Sequence, residues 1–249
     1  MPNDKGYAYY EDVNWGLLRL WGGRKGLDVL DVGCGFATTS ERIQSLGNRV
    51  TGVELSPEAL PVARKRLEHV LAADLQDLDS VSRELGDTKF DVIVFADVLE
   101  HLAWPQSILE AYLVFLKPSG RVLISLPNVA LWSVRLSHLF GRWNYQDTGV
   151  LDRTHLRFFT RGTARKLIES AGLGIRAGTQ TPGLVRPFIP LVKRLLAPSK
   201  VGGNHDPAAL LNSRLYKIYL RLVYPLERAV AAVWPGGLAF QVIFEAERK

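Results

Sequence analysis

The sequence predicts an α/β protein built on a doubly wound, mostly parallel sheet of seven strands, with a helical insertion before the last strand. Two observations predict the class. Short Val-, Ile- and Leu-rich runs alternate with longer stretches of helical periodicity, the pattern of a parallel sheet covered on both faces. The first of those runs ends in two closely spaced glycines, Gly33 and Gly35, where a strand hands over to a helix. A third observation sets the scale: 249 residues, 47% apolar and 22% charged, suit one large domain with a full core.

In chain order, YAYYEDVNWGLLRLW reads as an N-terminal helix that covers the cofactor and lends aromatics to the pocket. LDVLDVG, Leu27 to Gly33, is the first buried strand. ATTSERIQSLG follows as a helix with Ser and Thr near its start and Gly47 as its stop. RVTGVEL is the second strand. SPEALPVARKRLEHV is a helix opened by Ser56 as cap and Pro57 in the first turn. VLAADL and FDVIVFAD are strands three and four. VLEHLAWPQSILEAYLVFL is a helical region interrupted near Pro105, KPSG a turn and RVLISLPN strand five. TRGTARKLIESAG is a helix capped by Thr160 and stopped by Gly172, LGIRAGT the sixth strand and LAFQVIFEAERK the last. The expected division is an N-terminal helical cover (1–26), a cofactor-binding core (27–181), a basic amphipathic insertion (182–236) and the final core strand (237–249).

The net charge is +6, and its placement carries more information than its size. Between Pro182 and Pro235 eight Arg and Lys residues meet only Asp206 and Glu227, so the whole excess sits in one segment. Apolar residues recur there at helical spacing, and Pro225 is expected to kink or end the helix. Such a segment suits a packed helical hairpin, the interface of a homodimer, a lid over the substrate, or peripheral contact with an anionic membrane. No basic–aromatic RNA motif is present, so no nucleic acid partner is expected. Cys34 is the sole cysteine, which excludes an internal disulfide and fits a reducing, cytoplasmic setting. The first residues show no leader pattern, and no run of about 18 uncharged apolar residues suits a spanning helix.

The loop after strand one reads DVGCGFAT. A dinucleotide loop wants a third glycine, but Thr38 holds that position. Asp31 stands two residues before Gly33, where a carboxylate would repel a pyrophosphate. It suits a cofactor with a cationic amino group and no phosphate, which is S-adenosylmethionine. Strand two ends in Glu54, placed to accept from both ribose hydroxyls. Strand three ends near Asp74, placed to contact the adenine amino group. The expected cofactor contacts are therefore Asp31, Gly33, Cys34, Gly35, Glu54, Leu55, Asp74, Leu75 and Asp97.

VLDVGCGFA, VTGVELS, AADLQD, FDVIVFADVLEHL and LKPSGRVLISLPN together resemble the successive motifs of the class I S-adenosylmethionine-dependent methyltransferases. They span about Leu27 to Gly172, with Ala37 where that family has a glycine. The resemblance implies a Rossmann-like core and methyl transfer.

Strand four runs into ADVLEHL. Asp97, Glu100 and His101 have the spacing i, i+3, i+4, which puts them on one helical face. Two carboxylates and an imidazole suit Mg²⁺ or Mn²⁺. The motif is similar to the acid-x-x-Glu-His motif of quinone-precursor and small-RNA O-methyltransferases, and the RNA group has a later His before an aromatic–aromatic–Thr helix start. THLRFFT supplies His155 in that position, so the resemblance implies a metal held by Asp97, Glu100, His101 and His155. A metal lowers the pKa of a bound hydroxyl and aims neighbouring oxygens. His155 or His101 can instead act as a metal-free general base, or Glu100 and His101 can simply brace the loop after strand four. Asp152 and Arg153 suit an ion pair that stiffens their loop, or an anion contact through Arg153. Cys34 carries no mark of a nucleophile.

The expected function is methyl transfer from S-adenosylmethionine to a hydroxyl of a small molecule. SLPNVALWSVRLSHLFGRWNYQDTGVLDRTHLRFFT is similar to bacterial methyltransferases of surface-sugar and secondary metabolism. A nitrogen or carbon acceptor, and a non-catalytic partner that keeps the cofactor, are the other readings.

Overall fold

Among the described residues, seven strands form one sheet. The computed structural model describes residues 13–185 and 219–249. The elements are α1 (Trp15–Trp21), β1 (Asp28–Val32), α2 (Thr38–Ser45), β2 (Arg49–Glu54), α3 (Leu60–Arg66), β3 (His69–Ala72), α4 (Leu78–Leu85), β4 (Phe90–Ala96), α5 (Pro105–Tyr112), β5 (Leu116–Pro127), α6 (Trp132–Leu139), α7 (Arg161–Ser170), β6 (Leu173–Pro182), α8 (Tyr224–Val233), α9 (Pro235–Leu238) and β7 (Ala239–Arg248). The strand order is β3-β2-β1-β4-β5-β7-β6: β1 to β5 pair in parallel, and β7 lies antiparallel between β5 and β6.

Alternation along the strands builds two apolar layers. Val29, Val92, Leu123 and Ile243 face Leu17, Trp21, Ile43 and Ala63 of α1 to α3. Leu30, Ile93, Ile124 and Phe244 face Val81, Leu109, Tyr112 and Ile168 of α4, α5 and α7. The sheet is therefore covered on both sides, and its polar openings lie at the strand ends, where ligands bind in such sheets.

Thr160 caps α7 through a reciprocal pair with Thr163, and Gly172 follows that helix at φ 79°. Other expected boundaries shift. α3 begins at Leu60; Ser56 instead organises the preceding turn through Glu58 N and Ala59 N, each at 3.3 Å. KPSG lies inside β5, where the register shifts between Phe90 and Val92 and a bulge absorbs the proline. VLEH forms only a 3₁₀ turn, Leu99–His101, before α5 starts at Pro105. Pro225 starts a helix rather than ending one, at the point where a π-helical turn, Tyr219–Val223, passes into α8. A first turn needs no proline N–H. α4 and α6 were not among the expected helices. The segments RPFIPLVKRLLAP and PSKVGGNHDP lie outside the described residues, as do the aromatics before Val13. Among the described residues no helix is long and apolar enough to cross a membrane.

Candidate functional site

β1 ends against β2, and the chain then turns sharply. Gly33 and Gly35 adopt φ 73° and 54°, and Ala37 shares that left-handed region at 56°. The turn is held from outside: Gly33 N and Cys34 N both donate to Val53 O, at 2.9 and 3.0 Å. A side chain at Gly33 would have its Cβ 2.8 Å from Val98 Cγ2, so the backbone comes close to the loop after β4.

Glu54, at the end of β2, is buried and receives three backbone donors. Its Oε2 accepts from Gly35 N at 2.7 Å, and its Oε1 from Leu55 N and Ser56 N at 2.9 and 2.7 Å. Asp31 is buried beside it and accepts from Ser40 Oγ at 2.5 Å. Its other oxygen, Oδ1, is buried with no hydrogen-bond partner. Burial pushes the Asp31 carboxyl up to about 6, against the Ser40 bond and with help from the Glu54 charge. An orphaned buried acceptor beside a glycine cradle fits a ligand that brings a cationic donor. Cys34 packs against Gly52, and burial raises its thiol far above the usual range, so it is neutral. Asp74 lies after β3 rather than at its end and accepts from Gln76 N at 2.9 Å. Leu75 packs toward Gly33, its carbonyl accepts from Tyr112 Oη at 2.9 Å, and Leu55 is exposed beside Glu54.

Asp97 has φ 55°, and its Oδ2 accepts from Gln241 Nε2 at 2.7 Å. Asn14, the cap of α1, donates to Ser125 Oγ at 3.1 Å and reaches Asp97 at 3.5 Å. The start of α1 thus lies over the rim of β4 and β5, while its fully buried Trp21 belongs to the core rather than to a pocket.

Glu100, His101 and His155 do converge: one ligand atom from each lies within 4.8 Å of the others. Asp97 is not part of that group. Its left-handed backbone and the tight 3₁₀ turn after it break the shared helical face that the spacing implied. The loop carrying His155 is pinned to this turn, with Leu156 N and Arg157 N both donating to Glu100 O, at 2.9 and 3.0 Å. Asp152 accepts from Thr154 N and Thr154 Oγ1 at 2.8 and 2.7 Å. Since the Thr154 hydroxyl proton goes to Asp152, Thr154 Oγ1 accepts from His101 Nδ1 at 3.1 Å. His155 Nδ1 donates to Val150 O at 3.2 Å. Both imidazoles are thereby left with an unprotonated Nε2. Desolvation lowers both pKa values, and for His101 the neighbouring His155 adds to it. The rings stand edge to face, 4.8 Å apart. Glu100 is buried, neither of its oxygens has a hydrogen-bond partner, and desolvation, then the Asp97 charge, raises its pKa well above 4.5. Two nitrogen lone pairs and an orphaned carboxylate suit a divalent cation.

Phe158 touches His155, and Trp143 and Tyr145 extend this aromatic wall outward, at centroid distances of 5.2 and 6.4 Å from Phe158. Arg153 pairs with Asp147 at 2.7 Å, not with Asp152, and both partners are exposed. Ser40, Asn14 and Gln241 escaped the sequence reading, as did the turn in which Asp152 stiffens its loop through Thr154 rather than Arg153. Only the last left a local signal, an Asp two residues before a Thr.

A parallel sheet with its glycine turn after β1, an acid closing β2 and an acid–His pair after β4 defines a Rossmann-like α/β fold with its polar groups gathered at the strand ends. The chain belongs to the methyltransferase domain family, whose pattern it matches over residues 8–177. It is similar to the ubiquinone biosynthesis O-methyltransferases of Nitrosococcus oceani (43% identical over 107 residues, 41% of this chain and 44% of that protein) and Cereibacter sphaeroides (32% over 152 residues, 60% and 61%). The matched region thus spans 44% and 61% of the length of these two curated relatives. Its fold matches a SAM-dependent methyltransferase from Archaeoglobus fulgidus with a TM-score of 0.57 at 17% identity, covering 93% of this chain and 91% of the other. It also matches the 1,6-didemethyltoxoflavin-N1-methyltransferase of Burkholderia thailandensis, with a TM-score of 0.53 at 19% identity, covering 94% and 75%.

Proposed function

We propose that this chain transfers a methyl group from S-adenosylmethionine to a hydroxyl of a small acceptor, and that a phenolic quinone precursor is the acceptor class. The observation that carries the reading is the convergence of Glu100, His101 and His155 at the turn after β4, the turn whose Val98 packs on Gly33. S-Adenosylmethionine, when bound, supplies a methyl group on a sulfonium leaving group. Asp31 Oδ1 accepts from the cofactor's amino group, and Glu54 accepts from the ribose hydroxyls while its own backbone donors hold it still. Gly33, Cys34 and Gly35 let the backbone approach, Leu55 and Leu75 flank the adenosine, and Asp74 takes its amino group. Asp97 is held by Gln241 at the cofactor edge of the acceptor pocket.

Glu100, His101 and His155 would hold a divalent cation, which lowers the pKa of a bound hydroxyl. Two imidazoles with one carboxylate favour Mn²⁺ over Mg²⁺. The Phe158, Trp143 and Tyr145 wall suits a flat aromatic acceptor. With no metal, His155 Nε2 takes the acceptor proton, and Val150 O keeps the ring in the required tautomer. We place the protein in the cytoplasm, in keeping with its single free cysteine. The exposed apolar row Leu222, Leu226, Val230 and Val233 supports a contact role for the segment 182–236, whether as lid, dimer interface or peripheral membrane surface.

The test is calorimetric titration with S-adenosylhomocysteine before and after EDTA, with metal analysis of the purified protein. Binding with about one Mn²⁺ per chain supports the metal-assisted route. Binding without metal leaves His155 as the base. Absence of binding overturns the methyltransferase activity.

A further inference from the structure

A second polar cavity, of about 450 Å³, opens at the outer edge of the sheet. Arg19 of α1, Arg161 at the start of α7 and Arg228 of α8 converge there on Gly178, Thr179 and Gln180 of β6. α1 packs on one face of the sheet and α7 on the other, so the guanidinium groups reach the β6 edge from both sides. Among the described residues, none that lines the cavity is acidic. Among the described residues, none of the three guanidinium groups makes a hydrogen bond or ion pair. By contrast, three strand arginines do pair with acids: Arg49 with Asp28, and Arg121 and Arg176 with Glu247.

Three unpaired like charges around one cavity repel each other, and an anion placed among them reverses the sign of that interaction. A guanidinium offers a planar fork that matches phosphate oxygens two at a time. β6 is the last strand of the sheet, so its outward backbone N–H groups add neutral donors. The cavity is distinct from the cofactor loop. β6 stands four strand spacings from β1, roughly 19 Å at about 4.8 Å each.

We propose that this cavity binds a phosphate-bearing ligand, with Arg19, Arg161 and Arg228 holding its phosphoryl or diphosphoryl group. The volume leaves room for an organic portion beyond the phosphate. The inference does not depend on methyl transfer. The phosphoryl group can arrive on a soluble ester or on a lipid headgroup, which present the same chemistry here.

The test is calorimetric titration of the full chain with inorganic pyrophosphate at low salt. The comparison is with the double variant Arg161→Gln/Arg228→Gln, both exposed positions, and separately with Arg19→Gln. Thermal melting checks that each variant is folded. Saturable binding by the parent protein, weakened at least tenfold in the double variant at unchanged melting temperature, supports the site. No binding by the parent protein, or equal binding by the folded variants, overturns it. Sedimentation with phosphatidylglycerol against phosphatidylcholine vesicles then separates the sources. Binding to the anionic vesicles that pyrophosphate displaces and the double variant lacks assigns the group to a headgroup. Pyrophosphate binding without vesicle binding assigns it to a soluble ester.

Discussion

At Glu54 three backbone N–H groups meet one buried carboxylate; at Glu100, buried still more deeply, neither carboxylate oxygen meets any donor. The two acids stand at the ends of neighbouring parts of one sheet, yet they solve burial in opposite ways. Glu54 is aligned by its backbone donors before a ligand arrives, which suits the rigid acceptor proposed for it. Glu100 is left without compensation, which costs several kcal/mol for an isolated buried charge. The fold tolerates that only with a proton, as its raised pKa indicates, or with a cation between it and the two Nε2 atoms. A carboxylate already held by donors is a fixed acceptor, whereas an orphaned oxygen, on Glu100 as on Asp31, calls for a cationic partner.

The largest expected effects separate these roles. His155→Ala should lower turnover on the order of 100- to 10,000-fold while S-adenosylhomocysteine affinity stays within about twofold. Radiolabelled methyl transfer and calorimetry measure the two. An equal fall in affinity would merge the two regions into one binding site. Glu100→Gln should remove bound metal and turnover without lowering the melting temperature, because an amide carries no charge to bury.

Gly33→Ala should act on the other region. The new Cβ meets Val98 Cγ2 at 2.8 Å, and the φ of 73° is costly for any L side chain. About 1–3 kcal/mol of stability should be lost, read from the urea midpoint, with cofactor affinity down at least tenfold. Unchanged affinity would show that the close approach of loop and Val98 has no part in recognition.

Asp31 makes the comparison pH-dependent. Its folded pKa of about 6 lies above the ordinary 3.8, so the folded protein holds a proton that the unfolded chain has released. The stabilisation from this group is complete below pH 3.8 and is lost as pH rises through 6, a change of about 3 kcal/mol. Asp31→Asn should flatten that part of the stability profile. Cofactor binding runs the other way, because a cationic amino group calls for the carboxylate. Affinity should weaken as pH falls below about 6, with proton release detectable by titration in two buffers. A pH-independent affinity would remove Asp31 from the binding step.

The geometry of the glycine turn and of Glu54 was legible because its determinants are local. DVGCG and the Glu54 that closes β2 lie on adjacent strands paired in register, Asp31 opposite Gly52, so sequence order nearly equals spatial order. The acid–His half was only partly legible. His155 joins Glu100 across more than fifty residues through two backbone bonds to Glu100 O, and the departure of Asp97 depends on one left-handed residue that no spacing rule reveals. α4 did leave a signal, with Asp77 capping Ser80 N and Val81 and Leu85 as its buried face. α6 left none, since it buries none of its side chains and so shows no core stripe. Paired charges such as Arg153 with Asp147 follow loop geometry, so residue adjacency pointed to the wrong partner.

The smallest expected effect tests how far loop shape alone accounts for cofactor recognition. Ala37 caps α2 at φ 56° with no side-chain hydrogen bond, and its methyl group is buried among Leu17, Ile43 and Val50. Ala37→Gly relieves a left-handed backbone that costs roughly 1–2 kcal/mol. It also removes one buried methyl, about 0.8 kcal/mol, and loosens the unfolded chain by about 0.4–1 kcal/mol. These offset one another, so the melting temperature should move by no more than about 2–4 °C. Cofactor affinity should stay within about twofold, because Asp31 and Glu54 keep their partners whichever residue makes the turn. A tenfold change in affinity at unchanged stability would mean that the path of the turn recognises the cofactor and the two carboxylates follow it. The contrast between Glu54 and Glu100 would then concern only how each acid is buried.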